Sequence, residues 1–444
     1  MTFAERMAVL AGTHAQHAAL IDRNTPITFS TLHARVDRLA AAFSRLGVTA
    51  GDRVAIWLPN CLAWVEAFLA CAHLGAVVLA INTRFRSQEL ATIIGRGRAD
   101  WLVMWPDFKG IAFGDILVDV PPGALGHLRG IVTIDEAGDD RAARAIAACG
   151  IPVHDYAPML RETTLAPAPH GNAGVLCYTT SGTTSLPKFV LHDQRTLLHH
   201  GDIMQQAYGY DRGCRILAST PFCGAFGFST LLGGLASGTT VVCEPVSDTA
   251  STLDQIRRHG ITHTYANNES ILRLLESSDS PQDFRTCRLF GFANFSPASG
   301  DLLERAKQNG LELTGLYGSS ELQALTAAQP RRDEDGDTSV RYLAGGTLIH
   351  AGARVRARDP QSGALLPHGE SGELEILSPS LMTGYLDDRQ ATARAITADG
   401  FFRTGDLGYS VSDRQFVFQT RMGDSLRLSG FLVNPAEIEH TVEA

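Results

Sequence analysis

The feature that most constrains this chain is an alternation, between residues 28 and 104, of short apolar runs with helical periods. Runs at 54–58, 76–81 and 101–104 read as strands, and 61–74 and 88–95 as helices. That order is a βαβαβ unit, which implies a parallel sheet covered by its crossover helices. The alternation resumes downstream, where 175–178, 216–219, 240–243, 261–265, 288–290 and 311–316 read as strands. Pro121-Pro122, Pro152, Pro167 and Pro169 punctuate the stretch between the two units. Past the charged loop 331–337 the pattern changes to short strands with Gly and Pro turns through 342–419, which reads as a small barrel or sheet.

The expected fold is therefore α/β: two βαβ-type subdomains with mostly parallel sheets packed together, plus a smaller β-barrel-like subdomain. The boundaries fall at about 1–168, 169–330 and 331–424. A length of 444 residues accommodates three such units at roughly 150 residues each. The apolar run 61–81 is long enough to test as a membrane span. Glu66, His73 and Gly75 interrupt it, and it reads instead as a buried helix followed by a strand.

Charge narrows the function. With 38 basic and 47 acidic residues the net charge is -9, so no basic field exists to hold a phosphodiester backbone and nucleic acid is not an expected partner. Only Lys109, Lys188 and Lys307 are lysines; the other basic residues are arginines. Eight cysteines are scattered without a C-x-x-C pair, which fits reduced, mostly buried thiols in a cytoplasmic protein rather than a zinc site or a disulfide framework. The start of the chain carries Glu5 and Arg6 and no apolar h-region, so no signal peptide is expected.

Three segments carry chemistry. Tyr178-Thr-Thr-Ser-Gly-Thr-Thr-Ser-Leu-Pro-Lys188 follows a strand and offers hydroxyls, backbone N–H groups and a lysine to phosphate oxygens, without Walker spacing. Leu316-Tyr-Gly-Ser-Ser-Glu321 lies at another strand end; its tyrosine suits a purine and its glutamate a divalent cation. Gly400-Phe-Phe-Arg-Thr-Gly-Asp-Leu-Gly408, followed by Arg421-Met-Gly-Asp424, provides a carboxylate suited to two ribose hydroxyls. Each alone also reads as an ordinary turn. Ligands of open parallel sheets do sit beyond the carboxyl ends of strands, where the first two segments fall.

The three in this order and spacing resemble the adenylate-forming superfamily of acyl-CoA synthetases, luciferases and peptide-synthetase adenylation domains. Gly51-Asp-Arg-Val-Ala-Ile, Asn82, Gly372-Glu-Leu, Gly384-Tyr385 and Pro435-x-Glu-Ile-Glu extend the likeness from about residue 28 to 439. The resemblance implies an acid–thiol ligase that uses ATP, Mg²⁺ and coenzyme A on a small carboxylic acid, and it allows a homodimer. It assigns Thr180, Ser181, Gly182, Thr183, Thr184 and Lys188 to the phosphates. Tyr317, Gly318 and Ser319, with Phe292, Ala293 and Asn294, fall to the nucleoside, Ser320 to the α-phosphate, and Glu321 with Thr184 to the metal. Asp406 and Arg421 take the ribose. Phe222, Gly224, Phe226, Phe292 and Gly315 line the acyl pocket, Asp424 is the hinge, and 425–444 holds the hinge and the first residues of a truncated C-terminal domain.

Departures accompany the likeness. Ser185 and Phe189 stand where glycine is usual, Gln194 where histidine is common, and Gly224 where a histidine or aromatic gate is common. Phe292 and Asn294 replace a usual glycine and proline. The lysine-bearing C-terminal domain of the family is not represented, so the expectation is a chain that binds ATP and acid but adenylates slowly. Two other readings remain open at this point: transfer to a carrier-protein thiol, and a non-catalytic nucleotide- or acyl-binding module.

Overall fold

The structure is a computed structural model that describes residues 1–108, 110–134, 149–180, 187–246, 248–293, 300–329 and 344–422, with the backbone of 426–428 and 431–433. Two large mixed sheets dominate. The eight-stranded sheet runs, edge to edge, Gly384–Tyr385, Lys188–Asp193, Gly174–Thr180, Val77–Ala80, Arg53–Trp57, Trp101–Met104, Gly130–Thr133, Val153–Asp155. Its strands from Gly174–Thr180 onward are parallel, and the first two are antiparallel additions.

The second sheet has fourteen strands. Its centre is the parallel set Leu313–Tyr317, Leu289–Ala293, His263–Ala266, Arg215–Ala218, Thr240–Cys243 and Ala18–Asp22. The βαβ reading of both units holds, with two strands matched at both ends and the others displaced by at most three residues.

The barrel expectation needs correction. Among the described strands the β-rich segment closes no barrel; it continues the fourteen-stranded sheet antiparallel, beginning where Ala327–Ala328 pairs with Leu316 and Tyr317. Short strands between Gly and Pro turns look the same in either arrangement, and only a long-range pairing separates them. Gly345-Gly346 makes the junction possible. Both have positive φ, and a Cβ there would lie 2.5 Å from the Phe416 oxygen or 2.4 Å from that of Ala328.

One apolar core joins the inner faces of both sheets through the helices Leu62–Leu74 and Ala225–Ser237. Apart from Glu66 and His73, Leu62–Leu74 is apolar around its circumference, and it is buried from Trp64 to Leu74, as a helix enclosed on all sides must be. The run tested as a membrane span is thus this helix plus the strand Val77–Ala80. Among the described residues no helix is long and apolar enough to cross a membrane. All eight cysteines are free, five of them buried.

Three buried histidines predict an acid limit to stability. Burial lowers the pKa of His192, His200 and His263 to about 4, from a usual value near 6.5, so the folded state keeps them neutral. Between those values the unfolded chain binds more protons than the folded one, so stability falls as pH drops from about 6.5 toward 4. Urea midpoints should therefore be lower at pH 5 than at pH 7. His200→Gln should flatten that slope, and an unchanged slope would contradict the assignment.

Candidate functional site

The site is assembled around residues 317–321, the segment that leaves the carboxyl end of Leu313–Tyr317. At one end, Asp406 and Arg421 face each other across the hairpin Phe402–Ser410/Gln415–Arg421. The Arg421 Nη1 donates to Asp406 Oδ1 at 2.5 Å and the Tyr317 hydroxyl to Oδ2 at 2.5 Å. Asp406 is 3% exposed. Burial pushes its carboxyl up, while Arg421 and Tyr317 pull it back. Burial opposes the charge on Arg421, and Asp406 more than restores it. The Tyr317 ring is buried against Phe416, with centroids 4.9 Å apart, and Phe418, so its hydroxyl is the group turned to the site.

At the other end lies a second cluster. Lys188 opens the strand after the hydroxyl-rich loop, paired in register with Thr180. Its Nζ sits 4.8 Å from the centroid of the Tyr385 ring. The Tyr385 hydroxyl donates to Glu321 Oε1 at 2.9 Å. Backbone bonds fix this corner: Met382 N–H donates to the Glu321 oxygen at 2.7 Å and Leu386 N–H to that of Phe189 at 2.8 Å. The His192 Nε2–H donates to the Ser320 carbonyl at 2.8 Å, tying the phosphate-loop strand to the 317–321 turn.

Most of the acyl-pocket candidates pack elsewhere. Phe222 is 1% exposed in an aromatic cluster with Trp64, and its N–H donates to Asn60 Oδ1 at 2.7 Å. Phe292 is fully buried on the far face of the large sheet, among Leu217, Val242 and Leu253. Ala293 is half-buried at the end of the same strand. Gly315 contributes backbone, its oxygen accepting from Gln329 N–H. Phe226 is half-buried with its ring 5.9 Å from that of Tyr265. Gly224 caps the helix Ala225–Ser237, and a Cβ there would meet nothing nearer than 3.8 Å. The neighbouring Cys223 thiol is pushed up to about 12 by burial, which makes it a poor nucleophile.

Gly318 and Ser319 belong to the turn, where Ser319 Oγ accepts from Leu322 N–H at 3.3 Å. Ser181, Gly182, Thr183, Thr184, Asn294 and Asp424 lie outside the described residues, and of Thr180 only the backbone is described.

Gln194, singled out as a departure, is a structural staple. It is fully buried, its Oε1 accepting from Phe3 N–H at 2.9 Å and its Nε2 donating to the oxygens of Ala72 and Gly171. Tyr385 and His192 touch the candidate residues Glu321, Lys188 and Ser320, and sequence reasoning did not single them out as site residues. Gly384-Tyr385 had signalled only family likeness, and nothing local marks a tyrosine that meets a carboxylate 64 residues away.

Among the described residues no three His, Cys, Asp or Glu side chains are grouped to hold a metal. Glu321 supplies one carboxylate. That suits Mg²⁺, which keeps several waters and commonly takes one or two carboxylates together with substrate phosphates.

The profile of the AMP-binding enzyme family matches residues 8–386. An octahydro-inden-4-yl-propanoyl:CoA ligase of Mycobacterium tuberculosis is 31% identical over 432 residues, covering 96% of this chain and 80% of that protein. The 4-coumarate–CoA ligase 5 of Oryza sativa subsp. japonica is 28% identical, covering 95% of this chain and 76% of its own. An anthranilate CoA ligase in complex with anthranoyl-AMP superposes with a TM-score of 0.85 at 22% identity, over 100% of this chain and 82% of that one.

Proposed function

The chain belongs to the AMP-binding enzyme family, and from that premise we propose how its residues divide the work of an acyl-CoA ligase and which acids it takes. Enzymes of this kind use ATP, Mg²⁺ and coenzyme A. An acid's carboxylate attacks the α-phosphorus of ATP, pyrophosphate leaves, and the resulting acyl-adenylate yields its acyl group to the thiol of coenzyme A as AMP departs. The difficulty is bringing one anion up to another, so the protein's contribution is opposing charge and alignment.

The observation that carries the assignment is the convergence of two charged clusters on the ends of one five-residue turn. Asp406 accepts the two ribose hydroxyls, steadied by Arg421 and Tyr317. Lys188 faces the phosphates, and Ser320 donates to the α-phosphate from a backbone held by His192. Glu321 would hold Mg²⁺, which supplies positive charge to the phosphate oxygens when bound. The buried, free thiols support a cytoplasmic setting.

For the substrate we favour a carboxylic acid bearing a ring. The named acids of the relatives, an indenyl-propanoate and 4-coumarate, are of that kind, and Gly224 leaves room where a side chain would stand.

Thermal unfolding with non-hydrolysable acyl-sulfamoyl-adenosines tests both parts. A matched analogue at about 100 times its Kd adds about 2.7 kcal/mol. Stabilisation is expected to peak with aryl or alicyclic acyl groups. A peak with straight chains would overturn the substrate class, and no shift with any analogue would overturn the site.

A further inference from the structure

Tyr385 contacts two opposite charges of the candidate site. Its ring faces the Lys188 ammonium at 4.8 Å, and its hydroxyl donates to Glu321 at 2.9 Å. Among the described residues no ion pair joins Lys188 to Glu321. A lysine and a glutamate that both touch one side chain would attract each other if nothing intervened, and an ion pair between them would occupy the lysine against phosphate and the carboxylate against a cation.

The short strand that carries Tyr385 is locked on both sides. Tyr385 pairs with Val190 beside the lysine, its N–H donates to Thr392 Oγ1 at 2.9 Å, and Met382 ties the same segment to the Glu321 backbone. Gly384 takes a φ of +151°, and a Cβ there would come within 3.0 Å of Thr392, so the approach is tailored to glycine. The ring is 7% exposed and has little room to swing away.

We infer that Tyr385 is a positioning residue, a spacer that engages the cation through its face and the carboxylate through its hydroxyl and so prevents a Lys188–Glu321 ion pair. The functional importance of this spacing rests on the adenylation reading; the spacing itself does not.

Two measurements separate these. With only three lysines in the chain, reductive methylation with [13C]formaldehyde gives a sparse NMR spectrum in which Lys188 is assigned by its loss in Lys188→Arg. Its methyl resonance should be displaced upfield by the ring, retain that displacement in Tyr385→Phe, and lose it in Tyr385→Leu. An undisplaced resonance in the unmodified sequence overturns the spacer whatever the protein does.

The second measurement is binding of α,β-methylene-ATP in EDTA, which reads the availability of the lysine. Tyr385→Leu should weaken binding roughly tenfold, and Tyr385→Phe, which keeps the ring and loses the hydroxyl, should fall between it and the parent. Adding Glu321→Gln to Tyr385→Leu should then recover most of the loss, because no carboxylate remains to capture the lysine. Mere structural damage would not be rescued, so a double variant as weak as Tyr385→Leu overturns the inference. No nucleotide binding by the unmodified protein would instead remove the adenylation reading, and the resonance would still decide the spacer.

Discussion

Replacing Asp406 with alanine should weaken AMP and ATP binding by roughly 10²- to 10⁴-fold while leaving the fold in place. The carboxylate is 3% exposed, and Arg421 and Tyr317 hold its two oxygens from opposite sides, so its orientation is set before any nucleotide arrives. A hydrogen bond to a charged group contributes about 1.5–3 kcal/mol, and two ribose hydroxyls on one carboxylate account for the expected range. The folding cost is smaller, because Arg421 is 55% exposed and turns to water once its partner is gone. Asp406→Asn separates charge from shape: it keeps the volume and one acceptor oxygen, and should fall between the parent and Asp406→Ala. Calorimetric titration with AMP decides the matter. An Asp406→Ala affinity within threefold of the parent would remove Asp406 from the site.

The second large effect concerns stability. Glu66 lies fully buried inside the otherwise apolar helix Leu62–Leu74, bonded to the Arg35 guanidinium and the Tyr156 hydroxyl. Two residues from distant segments are thereby fastened to the helix that fills the space between the sheets. Removing one member of such a pair leaves the other charge in a low-dielectric setting, at about 3–5 kcal/mol. Glu66→Ala should lose that much in urea unfolding, and a loss below about 1 kcal/mol would show that Arg35 escapes to water.

Arg35→Ala gives the complementary test. Burial pushes the Glu66 carboxyl up, and Arg35 is the positive charge that opposes this rise. The folded state of that variant then binds the proton more tightly than the unfolded chain, so its destabilisation should shrink as pH is lowered from 7 to 5.

Particular residues show which parts of the molecule were legible. The helix 61–74 was readable because a run apolar on every side, broken only by Glu66 and His73, has no solvent face to present. Its polar partners were not readable: Arg35 and Tyr156 carry no sign that they converge on one carboxylate. The three candidate segments stood out because each concentrates its polar groups within a few residues of sequence. Phe292 shows the limit of that reasoning. Its position in the segment was known, but strand alternation turned the ring into the far core, among Leu217 and Val242. The β-rich region was legible as strands and illegible as topology, since its attachment depends on the short strand Ala327–Ala328 and on Gly345-Gly346.

The amino-acid sequence by itself determined the α/β class and the elements of the two parallel sets, and it singled out Asp406, Lys188 and Glu321 as candidate charged groups. Those properties follow from local periodicity and from side-chain chemistry, which do not depend on where the rest of the chain goes. Tertiary structure alone decided that the β-rich segment extends the large sheet, that Gln194 is a staple, that Phe222 and Phe292 belong to the core, and that Tyr385 touches both Lys188 and Glu321. Each of these rests on a contact between residues far apart in the chain. Such contacts are selected by the packing of whole sheets against a shared core, and no short stretch of sequence encodes them.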